Sequence, residues 1–342
     1  MAKYIVLAEG SFSYLYSKTG NTLIRYSPND VVGVIDSRFA GKTSQDVIGY
    51  GGDIPVVSNL DAVLSSSPDT MVLGNAPQGG RITDVYRKHI VQALTSGLHI
   101  ISGMHQFISG DPYFMELAQS NNVTIRDLRK PPNPPHFPKK SWKERKTPVL
   151  LTVGSDCDTG KMTTAWEITK GLKQEGIDAR FIGTGQTGIL LSGQGVPIDA
   201  VVSDFMAGEL EYVIDQNLDA DIIIVEGQGA INNMLYSGVT LGLIHGSMPN
   251  YFLMCHEPVR TRDVSDYPIP QMRYLFALHL QLMEPFRNSE FVGINLLTHA
   301  MSESKAKEAL RLYETENHCI ATDIVRFGGE PVIDVLKEKL GR

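Results

Sequence analysis

Short apolar runs alternate with longer amphipathic segments along most of the chain. Before residue 130 the apolar runs predict strands at 4–8, 31–35, 70–73, 99–101 and 123–125, with helices at 84–96 and 113–120. After residue 147 the alternation resumes, with strands predicted at 149–153, 179–182, 200–202, 222–225, 250–254 and 291–297, and helices at 163–175 and 302–316. Such alternation is typical of parallel sheets covered by helices on both faces. The pattern therefore predicts an α/β protein with two parallel-sheet domains.

A proline-rich segment separates the two sets of elements. Prolines lack an amide donor and disfavour helix, so this stretch is predicted to be an extended connector. We assign 1–130 to a Rossmann-like domain, 131–147 to a Pro-rich linker and 148–342 to a P-loop NTPase-like domain. Asp36 ends the second predicted strand, where dinucleotide folds place a ribose-binding acid, but no G-x-G-x-x-G follows the first strand. The first domain thus carries no signature for NAD.

The composition of the chain limits the kinds of partner and the cellular environment that we expect for it. The chain has 342 residues, 42% of them hydrophobic, and a formal net charge of −7, which gives no general attraction to nucleic acid. No apolar run is long enough for a membrane span. The isolated cysteines Cys157, Cys255 and Cys319 fit a reducing cytoplasm and argue against a disulfide framework or a zinc cluster. We predict a cytoplasmic protein without a metal, and the base rate for such enzymes favours a homo-oligomer.

A glycine-framed loop follows the predicted strand 149–153. The loop ends in Gly160-Lys161 and a helical pattern follows, which is the layout of a phosphate-binding loop. Backbone amides of such a loop, and of the helix start behind it, favour anionic oxygens. The alternative is a purely structural glycine turn. The residues predicted to bind a phosphorylated cofactor are Gly154, Ser155, Asp158, Thr159, Gly160, Lys161, Met162, Thr163 and Thr164.

Two features depart from the common G-x-x-x-x-G-K-[ST] pattern. Gly154 and Gly160 are one residue further apart, and Met162 stands where a Ser or Thr hydroxyl would hold Mg²⁺. A thioether is a poor ligand for a hard cation. Thr163 and Thr164 are not in register to replace it. The sequence therefore supports phosphate binding better than it supports hydrolysis of Mg-ATP.

Glu226 is the strongest candidate for acid–base chemistry. It follows the apolar run 222–225 and lies in a Glu-Gly-Gln-Gly segment, at the sheet edge where ligands bind in open α/β folds. It could act as a general base or hold a metal, or it could simply accept amides of a loop. A second strand-to-glycine transition, at 181–188, is predicted to form a wall of the same pocket. From these two segments, the predicted substrate contacts are Gly185, Gln186, Thr187 and Gln228.

Further candidates are polar residues placed after other predicted strands. Asp204 and His245 are predicted to be catalytic, and His256 is a second histidine able to take a proton near neutrality; either histidine could instead bond a carbonyl. Asp156 is predicted to bind a substrate ammonium. Arg260 and Arg262 are predicted to clamp a carboxylate, unless they form a solvated basic turn. In the first domain, the loops 74–80 and 102–105 are second-rank candidates for contacts to substrate or to the other domain.

The loop 154–164 and the Glu-Gly-Gln-Gly segment at 226–229 resemble the dethiobiotin synthetase and cobyrinate amidase branch of P-loop proteins. That resemblance covers only the second domain. It implies an ATP-dependent ligase or kinase that uses Mg²⁺, the second of our functional interpretations.

A resemblance that extends over nearly the whole chain rests on the two-domain order, the strand 31–36, the Ala-Pro-Gln-Gly-Gly loop at 76–80, the proline-rich joint and the loop 154–164. These features resemble the D-glutamate N-acetyltransferase family of the DgcN type, long called a domain of unknown function. The resemblance implies acetyl transfer from acetyl-CoA to the amine of D-glutamate or a related D-amino acid, in D-amino-acid catabolism. Acyl transfer needs a base and oxyanion donors. Glu226 or a histidine is the candidate base, and the amides near Gly185 or Gly227 are the candidate oxyanion donors. A third interpretation is a non-enzymatic sensor of a nucleotide or CoA.

Overall fold

The computed structural model describes residues 2–14, 16–75 and 80–342. Contacts within the chain divide it into two units, Met1–Lys130 and Pro131–Arg342. Each unit is built on its own six-stranded, all-parallel sheet, so the predicted fold class is confirmed. Among the described residues, no helix combines the length and apolar character that crossing a lipid bilayer requires.

The first unit has the strand order β3-β2-β1-β4-β5-β6. Its strands are β1 Tyr4–Leu7, β2 Val31–Ile35, β3 Val56–Val57, β4 Thr70–Leu73, β5 His99–Ser102 and β6 Ile125–Asp127. Its helices are α1 Lys18–Tyr26, α2 Ser44–Ile48, α3 Asp84–Thr95 and α4 Pro112–Ser120. The sequence pattern did not predict α1, because its buried face includes Thr19, Gly20 and Asn21 as well as apolar side chains.

Asp36 shows why this unit lacks a free ribose-binding acid after β2. The carboxylate is fully buried, accepts the Phe12 amide at 2.9 Å and pairs with the Arg38 guanidinium at 2.6 Å. Burial by itself would raise the pKa of Asp36, but the hydrogen bonds from Arg38 and Phe12 outweigh it and lower the pKa. The Asp36 carboxylate is therefore occupied by partners within the protein.

The second unit has the strand order β12-β11-β10-β7-β9-β8. Its strands are β7 Val149–Gly154, β8 Ala179–Ile182, β9 Ile222–Val225, β10 Tyr251–His256, β11 Glu290–Leu296 and β12 Ala321–Thr322. Its helices are α5 Lys161–Gln174, α6 Gln186–Ser192, α7 Ser203–Asp215, α8 Ser237–Ser247, α9 Met272–Met283, α10 Glu303–Asn317, α11 Ile324–Phe327 and α12 Glu330–Leu340. Every residue of β7 and β9 is buried, as expected for central parallel strands.

The strand predicted at 200–202 is wrong. Residues Ile198–Ala200 form a short 3-10 helix, and α7 begins at Ser203. Val201 packs into the core while Val202 is exposed. A run of three apolar residues has the same pattern in a turn as in a short strand, so periodicity could not separate the two.

The proline-rich segment packs on the second unit. On α7, the buried carboxylate of Glu209 accepts the His136 amide at 2.7 Å, and that of Glu211 accepts the Ser141 amide at 2.6 Å. Gly208 precedes Glu209 on α7, and a Cβ there would lie 2.3 Å from the His136 carbonyl oxygen. The segment predicted as a linker is thus fastened along α7 by hydrogen bonds to buried carboxylates.

Replacing Glu211 by alanine should loosen this segment. The change removes the acceptor for the amides of Lys139 and Ser141 and for the Ser141 hydroxyl. Losing several hydrogen bonds to a buried carboxylate costs roughly 1.5–3 kcal/mol of unfolding free energy, which urea denaturation would measure. Glu308→Ala on the exposed face of α10 is the matched control and should change stability by less than about 0.5 kcal/mol. Equal effects of the two variants would contradict this account of the segment.

Candidate active site

Four strand ends meet at one edge of the second sheet. β7 pairs in parallel with β9 and β10, and β8 pairs with β9, so the residues that follow these strands converge. They are the loop 155–160 after β7, Thr184 after β8, Glu226 after β9 and His256 at the end of β10. This is the edge at which open α/β sheets bind ligands.

The loop 155–160, which we call the phosphate loop, is folded tightly around Lys161. A Cβ on Gly154 would come within 2.9 Å of the Lys161 ammonium nitrogen. That nitrogen donates to the Asp156 carbonyl at 2.7 Å, and burial lowers the pKa of Lys161. Gly160 has φ 89° and is followed by α5, whose first turn has no side-chain cap. Uncapped amides and a lysine at a helix start form a site suited to an anion.

Asp156 fastens the phosphate loop to two neighbouring loops. Its buried carboxylate pairs with Arg260 at 2.9 Å and accepts from Asn233 at 3.2 Å and from the Val264 amide at 3.0 Å. Arg260 also pairs with Glu257 at 2.6 Å. The two groups predicted to bind the substrate's ammonium and carboxylate therefore bind each other, and the ion pair makes both of them structural.

Glu226 is a buried carboxylate held by backbone amides. One of its oxygens, Oε2, accepts from the Thr184 amide at 2.8 Å and from the Gly185 amide at 3.2 Å. Burial raises the pKa of Glu226 to about 7, although both amide bonds and Lys161 act to lower it. The structural alternative for Glu226, a carboxylate that accepts loop amides, is thus observed. A pKa near neutrality also equips the same group for proton transfer.

The walls around Glu226 come from β8 and α6. Thr184 donates its hydroxyl to the Glu226 carbonyl at 2.9 Å, and the Gln228 amide group donates to the Thr184 carbonyl. Gly185 precedes α6, and the predicted substrate contacts Gln186 and Thr187 are half-buried in the first turn of that helix. The structure therefore brings Gly185 and Gln228 to Glu226 and puts a helix where the sequence suggested a glycine loop.

Comparison with known proteins places the chain in a family. Residues 137–333 match a family model described as the P-loop domain of the domain of unknown function DUF1611, and residues 37–131 match its Rossmann-like N-terminal domain. The chain belongs to the DUF1611 family. A DUF1611 family protein from Anabaena variabilis has a crystal structure to which this chain is similar with a TM-score of 0.93, at 32% identity over 99% of this chain and 100% of that one.

Two curated relatives carry a functional name. A D-glutamate N-acetyltransferase of Tritonibacter scottomollicae is 36% identical over 81% of this DUF1611 chain and 84% of its own length. A protein of the same name from a Pseudoalteromonas species is 35% identical over 79% of this chain and 78% of its own length. The family resemblance seen in the sequence is thereby confirmed.

Three other predicted site residues of this DUF1611 protein, His245, Arg262 and Asp204, are placed as follows. His245 is in the last turn of α8, just before β10 begins, which puts it at the opposite edge of the sheet, where its ring meets Phe286. Arg262 pairs with Asp266 at 2.6 Å, and its side chain is 55% exposed. Asp204 does not follow a strand, as was predicted, but is exposed in the first turn of α7. We therefore leave His245 and Arg262 out of the candidate site.

The remaining loop residues are placed as follows. Ser155 and Thr159 are buried, and Asp158 is exposed with φ 58°. Met162, the second residue of α5, packs against the core. Thr163 is half-buried, and Thr164 is buried and bonds Cys255.

In the first unit, residues 76–79 of the predicted loop 74–80 lie outside the described residues. In the other loop, the Ser102 hydroxyl accepts the Met104 amide at 3.1 Å, and Arg129 donates to the Gly103 carbonyl at 2.7 Å. Within the described ranges of the chain, no cluster of three or more His, Cys, Asp or Glu side chains could hold a metal ion.

Gly188 leaves room for the Glu226 carboxylate. A Cβ on this α6 residue would lie 2.1 Å from Glu226 Oε2, whereas one on Gly238 of α8 would meet nothing within 4 Å. Gly188→Ala should therefore lower the unfolding free energy by roughly 1–3 kcal/mol through overpacking. Gly238→Ala should raise it by up to about 1 kcal/mol through helix propensity. Chemical denaturation of both variants would check this pair, and a neutral Gly188→Ala would contradict the packing of Glu226.

The unfolding free energy of Glu226→Gln, relative to that of the wild-type protein, should increase as the pH rises. Because the folded pKa of about 7 lies above the ordinary value of 4.5, the native state holds the proton more tightly than the unfolded chain does. The wild-type protein therefore loses stability as pH rises through this window, and glutamine does not. The stability difference between the two should grow by roughly 2–3 kcal/mol from pH 5 to pH 8. A difference that is constant with pH, measured by urea unfolding, would show that Glu226 ionises normally.

Proposed function

We propose that this protein transfers an acetyl group from acetyl-CoA to the amine of D-glutamate or a closely related D-amino acid. The observation that carries the proposal is Glu226, a buried carboxylate with a pKa of about 7 beside a phosphate loop. The names of the two curated relatives, D-glutamate N-acetyltransferase, support N-acetyl transfer as the reaction. We further propose that the reaction opens a route of D-amino-acid breakdown.

The phosphate loop supports acetyl-CoA as the donor. Acetyl-CoA carries a pyrophosphate and a 3′-phosphate, and the start of α5 with Lys161 offers amides and a cation for such groups. Met162 packs against the core at the position where a Mg²⁺ ligand would stand in an ATP-hydrolysing loop. A loop of this composition can hold phosphates without a metal.

Glu226 acts as the general base in this proposal. It takes a proton from the substrate ammonium, so that the amine nitrogen can attack the thioester carbonyl carbon. A C–N bond forms and the C–S bond breaks; the extra proton on the attacking nitrogen passes to the departing sulfur, so the products are the amide and CoA thiol, and Glu226 returns its own proton to water. The amides of Gly185 and Gly227 are not free to stabilise the oxyanion, because they donate to Glu226 and to the Thr152 hydroxyl.

Release of CoA thiol tests the reaction directly. The purified protein would be given acetyl-CoA and a panel of D- and L-amino acids, with ADP formation from ATP followed in parallel. We expect thiol release that depends on D-glutamate, and no ADP. Burial raises the pKa of each cysteine of the chain to about 11, so the protein's own thiols should react slowly with the detection reagent. ADP formation without thiol release would instead favour the ATP-dependent ligase or kinase.

Glu226→Gln should lower kcat/KM by about 100- to 10,000-fold, the usual range for loss of a general base. In the wild-type enzyme, the kcat/KM for the amine should rise with pH up to about 7 as Glu226 loses its proton. In Glu226→Gln, this rise of kcat/KM with pH should be absent. Glu308→Gln on exposed α10 is the matched control. Undiminished turnover by Glu226→Gln would remove Glu226 from the mechanism.

A further inference from the structure

A chain of three hydrogen-bonded side chains runs from the phosphate loop to α10. The Ser155 hydroxyl bonds His256 Nδ1 at 2.7 Å, and His256 Nε2 bonds the Tyr313 hydroxyl at 2.7 Å. Ser155 is the first loop residue after β7, His256 ends β10, and Tyr313 lies on α10. The proposed acetyl transfer does not use any of these three groups.

His256 is a neutral link in this chain. Its side chain is buried, and burial together with the nearby Arg260 cation lowers the pKa of His256 to about 4. A neutral imidazole offers one donor and one acceptor, which matches two hydroxyl partners because each hydroxyl can either give or receive a hydrogen bond. The bonds on both ring nitrogens therefore fix the ring's orientation.

Ser155 is held at every polar atom. Its amide donates to the Cys255 carbonyl at 3.1 Å, its carbonyl accepts from the Asn232 side chain at 3.1 Å, and its hydroxyl bonds His256. The side chain has no solvent exposure. A serine held in this way cannot approach a thioester carbon as a nucleophile, so its role is to fix the backbone from which the phosphate loop starts.

We propose that His256, held by Tyr313, is a positioning residue that sets the geometry of the phosphate loop through Ser155. Its effect is on the affinity for the phosphorylated part of acetyl-CoA and not on the chemical step. The ligand named here rests on the proposed function, while the positioning of the loop by His256 rests on the three side chains alone. Phosphate binding through backbone amides depends on their direction, so a loop start that is free to move weakens it.

The test compares two buried histidines of the same unit. His256→Leu and Ser155→Ala should weaken CoA binding by about tenfold, the equivalent of one lost buried hydrogen bond. His279→Leu is the matched control, because His279 is also buried, with its pKa lowered to about 4, but in the part of the chain that the structure describes its ring bonds only the Leu275 carbonyl, within α9. Titration calorimetry would measure the affinities, and urea unfolding would measure the stability of each variant.

Kinetics separate positioning from general damage. In His256→Leu, the KM for acetyl-CoA should rise about tenfold, while kcat and the KM for the amine stay within about twofold. His256→Asn, whose amide can take the place of Nδ1, should recover part of the affinity. Ser155→Ala combined with His256→Leu should bind no more weakly than His256→Leu alone, because both remove the same contact. Unchanged CoA affinity in His256→Leu, or an equal loss in His279→Leu, would overturn the proposal.

Pyrophosphate as a second probe keeps this test distinct from that of the proposed function. A wild-type protein that binds pyrophosphate but not CoA would contradict the proposed donor, and the variants would then be compared with pyrophosphate. The same tenfold loss in His256→Leu would support the positioning role, and no loss would overturn it. A wild-type protein that binds neither probe would overturn both proposals.

Discussion

The buried carboxylate of Asp156 is the interaction on which the candidate site depends. A charge without solvent contact must be paired, and this one is paired with Arg260 and with donors from Asn233 and Val264. The requirement ties the phosphate loop to the loops that follow β9 and β10. Three strand ends that would otherwise carry independent loops are thereby held in one arrangement.

Two buried carboxylates at the same edge serve different ends because their partners differ. Asp156 pairs with a guanidinium, which stabilises its charge. Glu226 is held by amides of Thr184 and Gly185, and burial raises its pKa. Asp156 thus holds the loop in place, whereas Glu226 can gain and lose a proton near neutral pH.

The strands other than the two-residue β3 and β12, and the positions of the phosphate loop and Glu226, could be predicted because each depends on local signals: an apolar run, a glycine spacing, and an acid at a strand end. The pairing of Asp156 with Arg260 could not, since the partners are 104 residues apart and nothing local marks them as neighbours. The same holds for Tyr313, which meets His256 from 57 residues away. The sequence could not show on which edge of the sheet His245 lies, because a histidine gives the same local signal at either end of a helix. Only the topology placed it at the edge opposite the candidate site.

The hydrogen bonds that hold the proline-rich segment along α7 determine which residues must stay together when the second domain is transferred between genes. Glu209 and Glu211 are buried acceptors that need amides from residues 136–141. A gene fusion or recombination event that began at the phosphate-loop strand would leave these acids without partners. The portable unit is therefore residues 131–342, and a proline-rich stretch that looks like a spacer travels with the second fold as part of it.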